Sequence, residues 1–369
     1  MTHRLGRKTI LGVVLSSLVL LSATSASRAA FLQTNLVSDI PGMANNLDAN
    51  LKNPWGISSS ATSPFWVSDQ VTGLATLYNS TGAPQGLVVT IPGGNPTGQV
   101  FNSTADFTLA TGGKAFFLFA TLEGSIAGWN PASGTTAQTT ASTANAVYTG
   151  LALGSAASGN FLYAANNAAG RIDVFNGSFQ LSSLSSQFTD PNLPAGFTPY
   201  NIQNLGGILY VTYESAAGGG VVDAYDTNGN FLRRISANGN GGILDSPWGV
   251  ALAPAGFGPF GGALLVGNED DGRISAFNPT TGAFLGQLLD GNGQPIANDG
   301  LWGLTFGNGG NGGVPGVLYF AAGINDEEHG LFGSIQVTGV PNPASLILLA
   351  VGGLGLIAGR RVTRGRARG

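Results

Sequence analysis

Asn53-Pro54-Trp55-Gly56-Ile57 opens a unit of about 50 residues that recurs six times along the chain. Two other openings are clear, Ser246-Pro247-Trp248-Gly249-Val250 and Gly300-Leu301-Trp302-Gly303-Leu304. Three weaker openings are placed at residues 104–107, 148–151 and 198–201. Because the Trp residues recur with this period, we expect them to belong to the core rather than to stack on sugars.

Apolar runs follow each opening and indicate strands. Examples are Pro64-Phe65-Trp66-Val67 and Gly316-Val317-Leu318-Tyr319-Phe320, each bounded by Gly, Asn or Pro. Short bounded runs of this kind favour strands over helices. The 59 Gly and 18 Pro residues agree with many turns, and 43% hydrophobic residues are enough for a large core. The repeat predicts an all-β, six-bladed β-propeller over residues 31–339, with NHL-like repeats.

The sixth unit has only three clear strands. Residues 31–39 precede the first unit and have no other partner in the pattern. Closing the ring would remove the exposed sheet edges, which favours pairing between the two ends of the propeller. We therefore expect residues 31–39 to supply the missing strand of the sixth blade.

The amino terminus has the layout of a secretory signal peptide. Arg4, Arg7 and Lys8 precede an apolar run over residues 10–21, and small residues continue to Ala30. This order is typical of a segment that is cleaved during export, and we expect residues 1–30 to be that segment. The alternative is an uncleaved membrane anchor, although a spanning helix needs about 20 apolar residues.

The carboxyl terminus, residues 340–369, combines a short motif, an apolar stretch and a basic end. Pro341-Asn342-Pro343 precedes the apolar residues 344–359, and Arg360 and Arg361 begin a group of five arginines. This layout resembles the PEP-CTERM sorting signal of Gram-negative bacteria, with Asn342 where that motif has Glu. The resemblance implies transient inner-membrane anchoring by a hydrophobic transmembrane helix and processing by an exosortase-type membrane protease. The alternative is a plain C-terminal anchor, and both interpretations place the body in a secreted or cell-surface location.

Charge is distributed unevenly along the chain. Nine of the 15 Lys and Arg residues lie in the two terminal segments, and the remaining six share the body with all 19 Asp and Glu residues, a formal net charge of −13 there. Such a surface repels phosphate backbones, so we expect no nucleic-acid partner. The absence of cysteine excludes disulfides and Cys-ligated metal sites.

Acidic and amide side chains recur in loops that a propeller brings to one face. In a blade, the loop between the second and third strands shares a face with the loop that enters the next blade. The predicted cation-binding side chains in these loops are Asp69, Glu123, Asn166, Glu214, Glu269 and Asp326. Carboxylate and amide oxygens suit Ca²⁺, the one cofactor that the sequence suggests. The alternative is that these are ordinary polar loop residues.

His329 is the only histidine after the signal segment, and it stands in the acidic stretch Asn325-Asp326-Glu327-Glu328. A histidine next to carboxylates has the residue types of a general base that is oriented by an acid. His329 is therefore the one catalytic candidate. The alternative is a solvated loop histidine.

Over residues 31–339 the chain resembles a family of uncharacterised bacterial β-propeller proteins. The matching stretches are Phe31-Leu32-Gln33-Thr34-Asn35-Leu36-Val37-Ser38-Asp39, Asn53-Pro54-Trp55-Gly56-Ile57, Leu162-Tyr163-Ala164-Ala165-Asn166 and Gly170-Arg171-Ile172-Asp173-Val174-Phe175. The resemblance implies the fold and no particular activity. A looser likeness to NHL-type propellers implies an interaction platform.

Two functions follow as hypotheses. The first is a non-catalytic binding or structural module of the cell surface or extracellular matrix, with an exopolysaccharide or a surface protein as partner. The alternative is a metal-dependent, lactonase-like hydrolase with a Ca²⁺-type site on the acidic face.

Overall fold

The computed structural model describes residues 30–184 and 187–338. The predicted signal peptide lies outside this range except for Ala30, and the predicted sorting segment with its apolar helix lies wholly outside it. The helices of the described part are two short 3-10 turns, Pro131–Ser133 and Gly258–Phe260. Neither turn has the length or the apolar character that a membrane crossing requires.

The strands form six blades around one axis. Before the first blade lie β1 (Ala30–Ser38) and β2 (Asn46–Leu47). All described strand pairs are antiparallel except the short pairing of β1 with β2. Blades 1 and 2 contain β3 (Pro54–Ser58), β4 (Phe65–Asp69), β5 (Leu74–Tyr78), β6 (Val89–Thr90), β7 (Pro96–Phe101), β8 (Phe117–Thr121), β9 (Ser125–Trp129) and β10 (Gln138–Ser142). Blades 3 and 4 contain β11 (Tyr148–Ala156), β12 (Gly159–Asn166), β13 (Arg171–Asn176), β14 (Leu181–Ser182), β15 (Thr198–Leu205), β16 (Ile208–Glu214), β17 (Gly219–Tyr225) and β18 (Phe231–Gly239). Blades 5 and 6 contain β19 (Pro247–Leu252), β20 (Leu264–Asn268), β21 (Ile274–Phe277), β22 (Phe284–Gln287), β23 (Leu301–Phe306), β24 (Leu318–Ala322) and β25 (Leu331–Thr338).

Strand β1 closes the ring, as the sequence predicts. It pairs antiparallel with β25, from Ala30 opposite Thr338 to Ser38 opposite Leu331. The sixth sheet therefore has the order β2-β1-β25-β24-β23. The Ser38 hydroxyl also donates to the Gly330 carbonyl at 2.7 Å. The amino-terminal strand thus covers the sheet edge that β25 would otherwise expose.

The glycine of the repeat opening lets neighbouring inner strands approach one another. A Cβ on Gly56 would lie 2.5 Å from the Thr97 carbonyl oxygen of blade 2, and a Cβ on Gly303 would lie 2.5 Å from the Trp55 carbonyl oxygen of blade 1. Such distances are shorter than side-chain atoms tolerate, so only glycine fits there. In blade 4 this position is Asn201, whose Nδ2 donates to the Trp248 carbonyl of blade 5 at 2.8 Å.

The second unit begins earlier than the sequence analysis predicted. Its inner strand starts at Pro96, whereas residues 104–107 lie in the loop between β7 and β8. Asn95-Pro96-Thr97-Gly98 repeats the first opening with Thr in place of Trp. Asn53 and Asn95 also share a left-handed backbone, with φ of 43° and 47°. The prediction failed at this unit because it followed the aromatic residue rather than the Asn-Pro and Gly positions.

Blades pack face to face, so the middle strands are buried on both sides. All five residues of β8 are buried, and their sequence is continuously apolar up to Thr121. Between blades 1 and 2, Trp66 stacks on Phe117 with ring centroids 4.1 Å apart. This two-sided burial explains why the strands appear as apolar runs rather than as alternating patterns.

Candidate functional site

Four aromatic rings meet at the propeller axis. We call Trp55, Tyr200, Trp248 and Trp302 the aromatic plug; they form one buried cluster and come from the inner strands of blades 1, 4, 5 and 6. Trp55 stacks on Trp302 with centroids 3.6 Å apart, and Tyr200 meets Trp302 edge-on at 5.8 Å. Because blades 1 and 4 lie opposite each other in a six-bladed ring, contacts among these rings span the axis.

One position in each blade lies at the rim of the axis, directly after the second strand in five blades and at the last residue of the second strand in blade 4. In five blades the backbone N–H at this position donates a hydrogen bond to a backbone carbonyl at the start of the inner strand. Gln70 donates to Asn53 in this way, and Glu269 donates to Ser246. From blade 1 to blade 6 the residues at this position are Gln70, Leu122, Asn167, Glu214, Glu269 and Gly323. Their side chains therefore determine the chemistry of this end of the propeller.

Amide side chains connect blades 6, 1 and 2 around the axis. Asn53 accepts an indole N–H from the plug residue Trp302 at 2.9 Å. Its own Nδ2 donates to Glu327 Oε2 at 2.6 Å and to Gln70 Oε1 at 3.0 Å. Gln70 Nε2 donates to Asn95 Oδ1 at 2.9 Å, and Asn95 Nδ2 donates in turn to Glu123 Oε1. These bonds fix the orientation of Glu327 at the axis.

Carboxylates from blades 4, 5 and 6 gather above the plug. We call Glu214, Glu269, Asp270 and Glu327 the acidic cluster. Burial raises the pKa of Tyr200 well above its usual range, and Glu214, Glu269 and Glu327 raise it further. Three carboxylates from three blades thus raise the pKa of the same plug residue. The acidic cluster therefore lies next to the plug.

The acidic cluster is strained electrostatically. Burial, followed by the charges of Asp270 and Glu327, raises the pKa of Glu269 to about 8. Burial and Asp270 also raise the pKa of Glu214, against the hydrogen bond that Asn167 Nδ2 donates to Glu214 Oε1 at 2.8 Å. Within residues 30–184 and 187–338, no Lys, Arg or His side chain forms an ion pair with this cluster. The carboxylates therefore repel one another without a neutralising side chain.

A left-handed turn brings Glu327 to the axis. Asn325, Asp326 and Glu327 have consecutive φ values of 55°, 53° and 64°. This conformation costs roughly 1–2 kcal/mol per residue with a side chain. The turn leaves Asp326 exposed and directs Glu327 to its bond with Asn53.

The structure brings some of the predicted cation ligands together and not others. Glu214 and Glu269 belong to the acidic cluster, and Glu123 lies at the end of the amide chain. Asp69 and Asn166 are the last residues of β4 and β12, one residue before the axial position. Because successive side chains of a strand point to opposite faces, neither side chain reaches the axis.

Asp69 and Asn166 are buried inside their blades. Burial raises the pKa of Asp69 well above its usual range, although Thr76 lies close enough to lower it. Asn166 Nδ2 donates to Asp173 Oδ2 at 2.7 Å. The residues that follow them, Gln70 and Asn167, take the axial positions. The sequence analysis chose Asp69 and Asn166 because it placed the end of each second strand too early.

His329 pairs with the carboxylate of Asp39, which is not part of the acidic cluster. Its Nδ1 lies 2.8 Å from Asp39 Oδ2, and Lys52 Nζ lies 3.4 Å from the same oxygen. Burial acts to raise the pKa of Asp39, but the N–H of Gly330, His329 and Lys52 together lower it. This network fastens the end of β1 to the start of β25. His329 thus lies at the closure of the ring.

The described residues contain no group of three or more His, Cys, Asp or Glu side chains arranged to hold a metal ion. Glu327 and Glu214 instead accept hydrogen bonds from the amides of Asn53 and Asn167. Ca²⁺ binding therefore stays a prediction.

Comparison with known proteins supports the fold but does not identify an activity. No protein-family model matches the chain. Two uncharacterised proteins of Acanthamoeba polyphaga mimivirus are each 29% identical to it over 335 residues, covering 81% of this chain and 78% and 84% of theirs. Among solved structures, a protein of unknown function from Bacteroides thetaiotaomicron has a TM-score of 0.56 at 11% identity, covering 84% of this chain and 77% of that one. A streptogramin B lyase has a TM-score of 0.52 at 14% identity, covering 84% and 98%. These structural likenesses show a β-propeller fold.

Proposed function

We propose that this protein is an exported, non-catalytic binding module of the cell surface or extracellular matrix, and that its acidic cluster holds a cationic group of the ligand. The observation that carries the proposal is that Glu214, Glu269 and Glu327, from three blades, all act on Tyr200 of the aromatic plug without an ion-pair partner among the described residues.

Energetics supports a binding role for this cluster. Burial and neighbouring like charges make the ionised carboxylates unfavourable and so lower the stability of the folded protein. The raised pKa of Glu269, about 8, reflects both causes. Perturbed groups of this kind are concentrated at functional sites. A cation that binds the folded state relieves the repulsion and stabilises the fold by mass action.

An ammonium or guanidinium group fits the cluster better than a metal ion. The described residues contain no group of three or more His, Cys, Asp or Glu side chains that could hold a metal, and two of the carboxylates already accept hydrogen bonds from amides. N–H donors of an organic cation reach separated carboxylates through charge-assisted hydrogen bonds. The lactonase-like alternative needs convergent oxygen ligands and receives no such support.

Melting temperatures in the presence of spermidine and of Ca²⁺ test this proposal. We expect spermidine to raise the melting temperature of the wild-type protein and to lose this effect in Glu269→Gln. Glu328→Gln is the matched control, because it makes the same Glu-to-Gln change at an exposed residue beside Glu327. Equal spermidine shifts in all three proteins would reject the site, and a Ca²⁺ shift lost only in Glu269→Gln would favour the lactonase-like function.

Export is a separate part of the proposal and has its own test. It rests on the terminal layouts of basic, apolar and small residues in the sequence. We expect the full-length chain to leave the cytoplasm and a chain without residues 344–369 to lose its membrane-associated intermediate. Cell fractionation measures both. Retention of the full-length chain in the cytoplasm would reject export, and with it the exosortase and the surface partners, whatever the result with spermidine.

A further inference from the structure

Both ends of the described chain lie at the same place on the propeller. Ala30 begins β1 and pairs with Thr338, the last residue of β25, and the Thr338 hydroxyl donates to the Ala30 carbonyl at 2.8 Å. Strand β25 begins at Leu331, shortly after the turn that carries Glu327 of the acidic cluster. Ala30 and Thr338 are therefore at the end of these strands that is remote from the acidic cluster.

The face of the propeller at this end is almost uncharged. Because the strands of a blade alternate in direction, this face collects the loops between first and second strands and those between third and fourth strands. We call it the neutral face, and its loops are residues 59–64, 79–88, 102–116, 130–137, 157–158, 177–180, 206–207, 226–230, 253–263, 278–283 and 307–317. The charged residues in these loops are Asp106, Lys114 and Asp226 alone. The formal net charge of −13 on the body is therefore concentrated away from the neutral face.

Large apolar side chains are exposed on the neutral face. Phe116, Leu252, Phe284 and Val314 are between 39% and 55% exposed, and each lies in one of the loops of this face or directly beside one. Single exposed apolar residues are common on any protein surface. Here they lie on the face that lacks charge and carries both chain ends. Such a surface suits the headgroup region of a lipid bilayer, which accepts aromatic and aliphatic side chains.

The predicted membrane segment follows β25 after a short connection. Its apolar stretch begins at Ala344, so residues 339–343 alone separate it from the last strand. Five residues reach at most about 18 Å when fully extended, whereas the eight residues of β25 are about 26 Å long. A connection of this length cannot run back along the blade and bring the acidic cluster to the membrane.

We propose that the neutral face lies against the lipid membrane in which residues 344–359 are anchored, and that the acidic cluster consequently faces the aqueous side. This orientation rests on the export and anchoring in the proposed function and adds the surface that meets the lipid. A membrane that contains anionic lipids repels the acidic face and does not repel the neutral one. A cationic ligand then reaches the acidic cluster without displacing the protein from the membrane.

Two valines provide matched sites for a test of this orientation. Val314 on the neutral face and Val71, in the loop that follows β4 on the acidic side, are 55% and 53% exposed. The chain contains no cysteine, so Val314→Cys and Val71→Cys each offer a single thiol for the same fluorescent label. The labelled full-length proteins are placed in nanodiscs of phosphatidylethanolamine and phosphatidylglycerol. Fluorescence is then measured with a quencher attached to the lipid headgroups and, separately, with iodide in the water.

We expect the lipid quencher to lower the fluorescence at position 314 and not at position 71, and iodide to quench position 71 more than position 314. Because both variants carry the same label, an affinity of the label for lipid affects them equally. Equal lipid quenching at the two positions, or stronger quenching at position 71, would overturn the orientation.

Failure of the full-length chain to enter the nanodiscs would overturn the proposal together with the predicted anchor. That result would leave the cation site unaffected, since the effect of spermidine on the melting temperature does not require lipid. Conversely, if spermidine does not bind the acidic cluster, the quenching pattern is expected to stay the same. The two experiments therefore distinguish failure of the orientation from failure of the cation site.

Discussion

At the scale of single residues, Glu269 carries a strongly raised pKa. Its pKa rises from 4.5 to about 8, first through burial and then through Asp270 and Glu327. The folded state thus binds the proton more tightly than the unfolded chain does. The free energy of unfolding consequently falls as pH rises from about 4.5 to about 8 and stays reduced above that pH.

We expect Glu269→Gln to remove this part of the pH dependence. The variant cannot ionise, so it should melt a few degrees above the wild-type protein at pH 9 and close to it at pH 4.5. Thermal melting at several pH values between these limits measures the difference. Glu328→Gln should keep the wild-type slope, and parallel curves for wild type and Glu269→Gln would contradict the assignment.

At the scale of strands, the inner ring depends on close backbone approach at the opening glycine. Gly303 of β23 and Gly56 of β3 each face a carbonyl oxygen of the next blade, at 2.5 Å from an added Cβ. The partner atom is backbone, which cannot rotate away as a flexible side chain does. Even a methyl group must therefore displace two inner strands.

Gly303→Ala should lower the free energy of unfolding by about 1–3 kcal/mol, the usual cost of overpacking. Gly86→Ala is the control, since an added Cβ there meets no atom within 4 Å. Chemical denaturation of both variants measures the difference. If Gly303→Ala is as stable as Gly86→Ala, the inner strands do not pack as described.

Strand β1 offers a second test at this scale, because it contains both buried and exposed apolar residues. Val37 is fully buried against blades 1 and 6, whereas Leu32 is 48% exposed. Val37→Asp buries an unpaired carboxylate, so we expect a loss of several kcal/mol and self-association through the freed edge of β25. Leu32→Asp should stay within about 0.5 kcal/mol of wild type. Denaturation and light scattering of the two variants provide the comparison, and similar behaviour of both would mean that β1 does not close the ring.

At the scale of the whole molecule, the repeat predicted the fold because apolar runs and Gly-rich turns recur with a fixed period. The closing strand could be predicted for the same reason, since the sixth unit lacked one strand. The second opening was misplaced because Thr97 and Gln99 stand where the three clear openings have Trp and an aliphatic residue. Repetition thus predicts architecture well wherever the residues of the opening are kept.

The candidate site was harder to predict, for two physical reasons. A strand end that is misjudged by one residue exchanges an axial side chain for an interior one, as with Asp69 and Gln70. The left-handed turn at residues 325–327 selects Glu327 over its neighbour Asp326, and no pattern in the sequence indicates that backbone conformation. Net charge predicted an acidic face, but only the fold shows which carboxylates meet at the axis.

Proton release on cation binding tests the central claim most directly. At pH 7 the carboxyl group of Glu269, with a pKa of about 8, is largely protonated, and a bound cation must displace that proton. Titration of spermidine by calorimetry in two buffers with different ionisation enthalpies measures the number of protons released. We predict release of about one proton per bound spermidine from the wild-type protein and from Glu328→Gln, and none from Glu269→Gln. Binding without proton release, or equal release from Glu269→Gln, would contradict the account.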